Sequence, residues 1–521
     1  MSRRAIPGLI VVVLGLASLI WIGRSSDEQP VPSFASTSLS WMPSVGSSGS
    51  LSGSWFCPGV PVTGEDGVGG EVVVSNRAEQ QLVGRFTVLT DDGVVQDRDL
   101  TVEPWEQATI DVDSFATADF ASVIVEIEGG GGLVEQVAEH PAGRSIAPCA
   151  NNTSDQWYFA DGFTLDGSIE TLVLTNPFDE PVVADLRFAT EDREAQPNQF
   201  QGFTISPRSL RSIPIAELGA RDEPVISVAI EATAGRLVAG RAQHYVGGGR
   251  LGYDVSLGSP ELREQWWFAD GEQGPGISES FSIYNPTDEP VEVTVFFGGL
   301  PLSAGVTDLD PIPVPPRRVV VFDPSVDLVP SSDPGGPGTD TDDTDDAGGS
   351  AGDGDDDSGF DVFDPITELP EGRHGTVFST LAQPSIVIER VLTRPTESGS
   401  VSTSVVLGAV ARDGFVPTTW HMGIGPSTAT AEALVVYNID QTDATVTVSA
   451  IGPGGEFDVP SLTEVALPRG SIITVDLTDP DVVGQELIVR STSRVFVERL
   501  LPRGGDLEGR TGSWLLPSAI Q

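Results

Sequence analysis

The chain contains no lysine, only four histidines and only two cysteines among its 521 residues. Its 28 basic residues are therefore all arginines, against 76 acidic residues, and the formal net charge at pH 7 is -48. Nucleic acids and anionic lipid surfaces bind basic protein faces, so this balance disfavours both as partners. Two cysteines without clustered histidines cannot complete a tetrahedral metal site, and we expect neither a metal nor a cofactor.

An apolar run from Ala5 to Gly23 follows Arg3 and Arg4. As a helix, a run of this length can cross a hydrocarbon core of about 30 Å. The positive-inside rule then leaves the N-terminus in the cytoplasm and the rest outside. We therefore expect residues 1–24 to be a cytoplasmic tip and transmembrane signal-anchor, in a single-pass cell-membrane protein that contacts the membrane through residues 5–23. A cleaved signal peptide is the alternative, with L-G-L-A-S as its candidate cleavage region.

Residues 25–53 are rich in Ser, Pro and Gly, a composition typical of a flexible stalk. An exported chain meets an oxidising compartment, so Cys57 and Cys149 are predicted to form a disulfide. Two free thiols are the alternative.

One pattern occurs four times along the rest of the chain. Each copy begins with a Trp, continues into an apolar run that ends in Asn, and later has an apolar strand that ends in Arg or an equivalent residue. The recurring residues are Trp55, Trp157, Trp266 and Trp420; Asn76, Asn176, Asn285 and Asn438; and Arg241, Arg390 and Arg499, with His140 aligned to the arginines in the first copy. Their spacing defines repeats over 54–156, which holds both cysteines, 157–265, 266–419 and 420–521.

Each repeat contains about seven short β-branched or alternating runs, separated by Gly, Pro, Asn and Asp. About seven short strands in about 100 residues are typical of an immunoglobulin-like sandwich. The sequence therefore predicts an all-β fold of four tandem immunoglobulin-like β-sandwich repeats after one N-terminal transmembrane helix. A four-bladed propeller is the competing architecture, for which each repeat is long as a single blade.

The third repeat is longer than the others because of an insertion near residues 331–360, which holds ten Asp and no basic residue. Such a segment cannot bury enough apolar surface to offset the entropy of ordering it, so we expect a disordered acidic loop. Specific calcium binding is the alternative, although the D-x-D-x-D-G pattern with its closing Glu is missing.

Repeat 2 reads W-Y-F-A-D-G from Trp157, N-P at Asn176, P-R at Pro207 and V-A-G-R ending at Arg241. In this pattern the chain resembles an uncharacterised actinobacterial family of membrane-anchored extracytoplasmic proteins built from W-Y-F-A-[ED]-G / N-P / V-x-E-R repeats. The resemblance implies an envelope location and a modular architecture. It implies no activity, because that family has no assigned site.

No residue of the sequence stands out as catalytic. The histidines at positions 140, 244, 374 and 421 lie in no H-E-x-x-H motif, the sequence has no nucleophile elbow, and nothing in it favours a Ser/His/Asp triad, so we expect structural roles for them. Asp161 and Asp270 could form a glycosidase carboxylate pair, but A-D-G is more typical of a turn in which Asp caps and Gly has positive φ.

Aromatic pairs at the start of repeats 2 and 3 permit a carbohydrate-binding hypothesis. Adjacent residues on a strand point to opposite faces, so only one of each pair can be exposed. The repeated Trp157 and Trp266 are expected in the core, which leaves Tyr158 and Trp267 as possible surface ligand contacts. The recurring arginines are expected to form structural salt bridges or carbonyl contacts.

These features favour a non-enzymatic, membrane-anchored cell-envelope protein with a structural, adhesion or scaffolding role. A cell-wall glycan-binding or accessory protein that assists an envelope enzyme is the alternative, and a hydrolase is a third hypothesis. Wall glycan or other envelope proteins are the expected partners, and we expect no small-molecule substrate.

Overall fold

A computed structural model describes residues 42–46, 50–64, 67–300, 309–328, 369–380, 384–411, 416–427, 432–504 and 508–519. They all belong to one compact unit, Ser40–Gln521. The predicted signal-anchor, residues 1–24, and the predicted acidic loop, residues 331–360, lie outside the described residues. Within the described ranges no helix is long and apolar enough to cross a membrane.

The described residues form 35 β-strands, one short α-helix, α1 (Pro324–Asp327), and six single-turn 3-10 helices. Repeat 1 contributes β1 (Ser52–Val62), β2 (Gly69–Asn76), β3 (Leu82–Thr90), β4 (Gly93–Val102), β5 (Gln107–Asp111), β6 (Ala118–Glu128), β7 (Gly132–Glu139) and β8 (Ser145–Pro148). Repeat 2 contributes β9 (Gln156–Gly162), β10 (Ile169–Asn176), β11 (Val182–Ala189), β12 (Glu194–Ala195), β13 (Phe203–Ile205), β14 (Ser209–Pro214), β15 (Ile226–Ala234), β16 (Val238–Tyr245) and β17 (Gly252–Leu257).

The remaining strands belong to the second half of the chain. Repeat 3 contributes β18 (Gln265–Gln273), β19 (Ser278–Asn285), β20 (Val291–Gly298), β21 (Ile312–Val314), β22 (Arg318–Phe322), β23 (Gly372–Thr380), β24 (Val387–Pro395) and β25 (Val401–Leu407). Repeat 4 contributes β26 (Thr419–Met422), β27 (Ala433–Asn438), β28 (Ala444–Gly452), β29 (Gly455–Asp458), β30 (Val465–Leu467), β31 (Ile472–Asp476), β32 (Glu486–Ser491), β33 (Val495–Pro502), β34 (Arg510–Trp514) and β35 (Leu516–Pro517).

Every repeat forms two antiparallel sheets. We call the one with the repeated tryptophan the Trp sheet and the one with the repeated asparagine the Asn sheet. The Trp sheets have the orders β1-β6-β3-β4, β12-β11-β15-β9, β18-β23-β20-β21 and β29-β28-β32-β26-β35, with β13 and β30 added at the edges of β11 and β28. The Asn sheets have the orders β5-β2-β7-β8, β14-β10-β16-β17, β22-β19-β24-β25 and β31-β27-β33-β34.

These eight sheets pack face to face in a closed ring, an eight-bladed β-propeller. Each Trp sheet packs on the Asn sheet of its own repeat and on that of the next, as β1 does on β16, β9 on β24 and β18 on β33. The Trp sheet of repeat 4 meets the Asn sheet of repeat 1, where the Ile424 N–H donates to Glu135 Oε2 at 2.8 Å. At the centre, β8 contacts β17, β17 contacts β25, β25 contacts β34 and β34 contacts β8.

The all-β prediction is confirmed, but the prediction of four tandem immunoglobulin-like sandwiches is wrong. In tandem sandwiches the outer face of each sheet meets solvent, and strands alternate between buried and exposed residues. Here β27 is buried along its whole length and β7 along all but its last residue, because neighbouring blades cover both faces. The four-bladed alternative also assigned one blade to each repeat, whereas each repeat builds two blades of ordinary length.

The ring is closed by residues from both ends of the described chain. Val45 forms a parallel bridge with Ser518, in which the Val45 N–H donates to the Pro517 carbonyl and the Ala519 N–H donates to that of Val45, each at 2.9 Å. The Asn151 side chain donates to the Ser44 carbonyl at 2.9 Å. Residues 42–46, which were predicted to belong to the flexible stalk, therefore lie against the propeller.

The predicted disulfide between Cys57 and Cys149 is confirmed. It joins β1 to the residue that follows β8, and so links the two sheets of repeat 1. In repeat 2 a close contact between Phe159 and Gly258 occupies this place, and a Cβ on Gly258 would lie 2.8 Å from the Phe159 ring. The disulfide thus replaces a large–small packing pair between the two blades of one repeat.

Candidate functional site

The repeated tryptophans lie in the core between the two sheets of each repeat. Trp157, Trp266 and Trp420 are 2%, 0% and 0% exposed. The three indole Nε1–H groups donate to the carbonyls of Leu237, Ile386 and Val495 at 2.9, 3.0 and 2.9 Å. Trp55, also buried, is their counterpart in repeat 1.

The repeated asparagines tie the end of one strand to a distant turn. The Asn176 amide donates to the carbonyls of Glu180 at 2.7 Å and Ser206 at 3.0 Å, and its Oδ1 accepts from the Phe178 N–H at 3.0 Å. Asn76, Asn285 and Asn438 make the equivalent contacts. This residue is structural, since its hydrogen-bonding groups are used within the fold.

The repeated arginines cross from one repeat to the next. Arg241 donates from Nη2 to Glu389 Oε1 at 2.8 Å and from Nη1 to Oε2 at 3.1 Å. Glu389 Oε2 also accepts from the backbone N–H groups of Ala160 and Asp161 at 2.8 and 2.6 Å. A Glu of one repeat thus binds both the Arg of the preceding repeat and the backbone N–H groups of its Ala-Asp pair. We call this arrangement the Arg–Glu joint.

A second Arg–Glu joint connects repeats 3 and 4. Arg390 binds Glu498, and the Asp270 N–H donates to the same carboxylate at 3.3 Å. Between repeats 4 and 1 the joint is altered, because Arg499 binds Glu432 of its own repeat at 2.7 Å while Glu135 accepts from the Ile424 backbone.

Among the described residues, the contact between repeats 1 and 2 has no such ion pair. Gln136 lies opposite Val72 in repeat 1 just as Arg241 lies opposite Leu172 in repeat 2, so Gln136 takes the place of the arginine. Gly240 takes the place of the Glu that the other repeats have at the preceding position. Pro58 fills the space beside Gly240, 2.8 Å from where a Cβ would be. His140, which the sequence spacing aligned with the arginines, is therefore not their structural counterpart.

Asp161 and Asp270 lie within strands β9 and β18, so the expectation that A-D-G forms a turn is wrong. Both side chains are fully buried. Asp161 accepts from Arg250 Nη1 at 2.7 Å and from Ser282 Oγ at 2.8 Å. Asp270 accepts from Arg394 Nη2 at 2.8 Å and also binds Arg373. Each carboxylate is thus held by arginine.

A third set of buried acidic residues was not predicted from the sequence. Glu170, Glu279 and Glu432 each stand six residues before the repeated Asn, a spacing that could have identified them. Their surroundings differ, since Glu432 binds Arg499 and Glu279 lies 2.8 Å from His374 Nε2.

Glu170 has no hydrogen-bond partner for either carboxylate oxygen among the described residues. Burial, only partly offset by the neighbouring Arg241, raises its pKa to about 8. The Glu170 side chain is therefore protonated at neutral pH.

Of the four histidines, His374 contacts Glu279 of its own repeat, and the other three contact another repeat or the C-terminal residues. The ring of His140 stacks on Tyr253 with centroids 4.3 Å apart and meets His244 edge-on at 4.5 Å. Burial, and then His244, lower the pKa of His140 to about 4. His421 Nε2 lies 2.7 Å from Ser518 Oγ at the ring closure. No group of three or more metal-binding side chains occurs within the described ranges.

Of the two predicted surface aromatics, Tyr158 is only 7% exposed. Trp267 is half-buried, and one face of its indole stacks on Phe496 of repeat 4 at a centroid distance of 5.3 Å. Its Nε1–H donates to Gln265 Oε1 at 3.1 Å. Both aromatics therefore take part in packing between blades.

A cavity of about 190 Å³ opens in the Trp sheet of repeat 2. Phe188, Ile215 and Ile226 form apolar walls, and Arg193 pairs with Glu223 beside them. Because these two charges neutralise each other, the cavity offers a ligand no free charge.

A family model described as "Family of unknown function (DUF5719)" matches residues 138–255, which is less than a quarter of the chain. No curated protein matches the chain. A structure titled "Crystal Structure of Thermotoga maritima 1070" is 23% identical, with 20% of this chain and 94% of that chain covered and a TM-score of 0.17. A "tetra-tandem repeat in extending region of large adhesion protein" is 10% identical, with 89% and 99% covered and a TM-score of 0.07. With TM-scores this low, neither likeness bears on the fold or the function.

Proposed function

We propose that the chain is a non-enzymatic protein of the cell envelope that acts as a rigid structural, adhesion or scaffolding platform. The observation that carries this proposal is the Arg–Glu joint, because the most recurrent charged residues of the sequence are buried between repeats. Burying an ion pair requires good geometry and further hydrogen bonds, and Glu389 accepts two backbone N–H bonds besides Arg241. Such joints favour one fixed arrangement of the blades.

The position of the other motif residues supports the same conclusion. The repeated Trp and Asn side chains bind carbonyls within their own repeat, so the motif is used in folding and not at an exposed surface. The Cys57–Cys149 disulfide supports an exported protein, because such bonds persist in oxidising compartments. Attachment to the membrane through residues 5–23 stays a prediction from the sequence.

The test is to mix the purified full-length chain with isolated cell envelopes, then measure the chain retained after sedimentation and the wall fragments released into solution. The proposal predicts retention without release. A chain that stays in the supernatant would contradict adhesion or scaffolding, and chain-dependent release of wall fragments would show a hydrolase. Retention on protein-free wall would favour the wall-binding alternative over a protein scaffold.

A further inference from the structure

Three arginines come together at the contact between repeats 3 and 4. Arg373 is the second residue of β23, Arg394 lies near the end of β24 and Arg510 begins β34. Ser402 connects the last two, since it is the cross-strand partner of Arg394 and its Oγ donates to the Arg510 carbonyl at 3.1 Å. We call Arg373, Arg394 and Arg510 the arginine cluster.

Two carboxylates accompany these three guanidinium groups. Arg394 donates from Nη2 to Asp270 Oδ2 at 2.8 Å and from Nε to Glu272 Oε2 at 2.6 Å, and Arg373 also binds Asp270. Within the described ranges Arg510 forms no ion pair with a carboxylate. The cluster therefore carries one positive charge in excess, in a chain whose formal net charge is -48.

The excess charge acts on the cluster itself. Burial, followed by repulsion from Arg394 and Arg510, lowers the pKa of Arg373 to about 9. The Nη1 atom of Arg394 is buried and has no hydrogen-bond partner among the described residues. An anion at this place would relieve the repulsion and use the open donor.

Repeat 2 shows that this arrangement is not a general property of the fold. There Asp161 is balanced by Arg250, and Tyr245 occupies the register position of Arg394. The surplus cation belongs to the contact between repeats 3 and 4.

We propose that the arginine cluster binds a singly charged phosphodiester group. One phosphodiester charge matches the one surplus positive charge. The three arginines lie on three different strands, and planar guanidinium groups bind phosphate oxygens through two parallel N–H bonds. Phosphodiesters occur in soluble polymers and in lipid headgroups, and the chemistry of the cluster is the same for both. This proposal does not depend on the scaffolding role.

The test is calorimetric titration of the full-length chain with glycerophosphoglycerol, a soluble phosphodiester, in low salt and phosphate-free buffer. We expect saturable binding that weakens as salt is added, and affinity lowered about tenfold or more by Arg510→Gln. Arg510 is partly exposed and has no carboxylate partner in the part of the chain that the structure describes, so this variant should keep its thermal unfolding midpoint. Arg469→Gln, which removes the same charge from an exposed turn, is the matched control and should bind as the unaltered chain does.

Equal affinity in the Arg510→Gln and Arg469→Gln chains would overturn the proposal, as would acetate binding as tightly as glycerophosphoglycerol or no binding at all. Vesicles containing phosphatidylglycerol form a second arm. Capture of the chain by vesicles but no binding of the soluble diester would also overturn it. Binding of both the soluble diester and the vesicles would show that the cluster also accepts the phosphodiester of a lipid headgroup.

Discussion

The buried acidic residues of this protein differ mainly in what lies next to them. Glu389 and Glu498 have an arginine of the preceding repeat, Glu432 has one of its own repeat, and Glu170 has no hydrogen-bond partner within the described ranges. The same residue type at recurring strand positions thus supplies a charged joint in one place and a neutral acid in another.

Glu170 should make stability depend on pH. Its pKa of about 8 in the folded chain exceeds its ordinary value of 4.5, so the folded state binds the proton more tightly. Its contribution is therefore fully present below about pH 4.5 and is lost as pH rises through about 8. We expect Glu170→Gln to reduce the loss of stability between pH 5 and pH 9, measured by urea unfolding at several pH values. Glu128→Gln, at an exposed position, is the control, and an unchanged pH dependence for Glu170→Gln would refute the assignment.

Breaking one Arg–Glu joint should be costly because it leaves a buried carboxylate uncompensated. For Arg390→Gln we expect a loss of roughly 3–5 kcal/mol in the free energy of unfolding. The exposed pair Arg490–Glu456 provides the comparison, and Arg490→Gln should cost no more than about 1 kcal/mol. Equilibrium urea unfolding measures both, and similar losses for the two variants would contradict the role given to the joint.

At the scale of strands and sheets, the two faces of one strand serve different neighbours. In β18, Trp266 faces the core of repeat 3 while the next residue, Trp267, packs on Phe496 of β33. Strand alternation therefore correctly separated the two residues of the pair, but the second face meets another blade and not solvent.

Trp267→Ala tests this placement. We expect the free energy of unfolding to fall by about 2–3 kcal/mol, because the substitution leaves a cavity between β18 and β33 at a half-buried site. Phe296→Ala, which truncates an aromatic side chain that is 53% exposed in the same sheet, is the control. Stability equal to that of the Phe296→Ala chain would place the Trp267 ring in solvent and restore it as a surface contact.

The disulfide also belongs to this scale, because it joins two sheets. Replacing both cysteines by alanine should cost about 2–5 kcal/mol. The pair Cys57→Phe and Cys149→Gly should recover part of that loss, because Phe159 and Gly258 pack at the equivalent place in repeat 2. Thermal unfolding of the two double variants measures the difference. If the Phe/Gly variant is no more stable than the double-alanine variant, the two places correspond in position but not in packing.

At the scale of the whole molecule, the spacing of the recurring residues predicted the repeats, and export to an oxidising compartment predicted the disulfide. The closed ring of blades could not be predicted in this way. Runs such as V-V-V-S-N and L-V-V-Y-N are continuous rather than alternating, which already indicates strands buried on both faces. What covers the second face depends on contacts between residues far apart in sequence, such as Glu135 and Ile424, and local patterns do not contain them. The partners of the repeated arginines were missed for the same reason, since each Glu lies in another repeat or in a different motif.

Closure of the ring is the central claim, and a cross-link between repeats 1 and 4 tests it most directly. A Cβ placed on Gly423 would lie 3.3 Å from Leu133 Cγ, close to where a cysteine sulfur would stand. The measurement is peptide mapping, without reduction, of the chain that carries Leu133→Cys and Gly423→Cys, with the Leu133→Cys chain as control. We predict a second disulfide between these positions besides Cys57–Cys149. If the folded, oxidised double variant keeps both new cysteines as free thiols, repeats 1 and 4 are not in contact and the propeller is wrong.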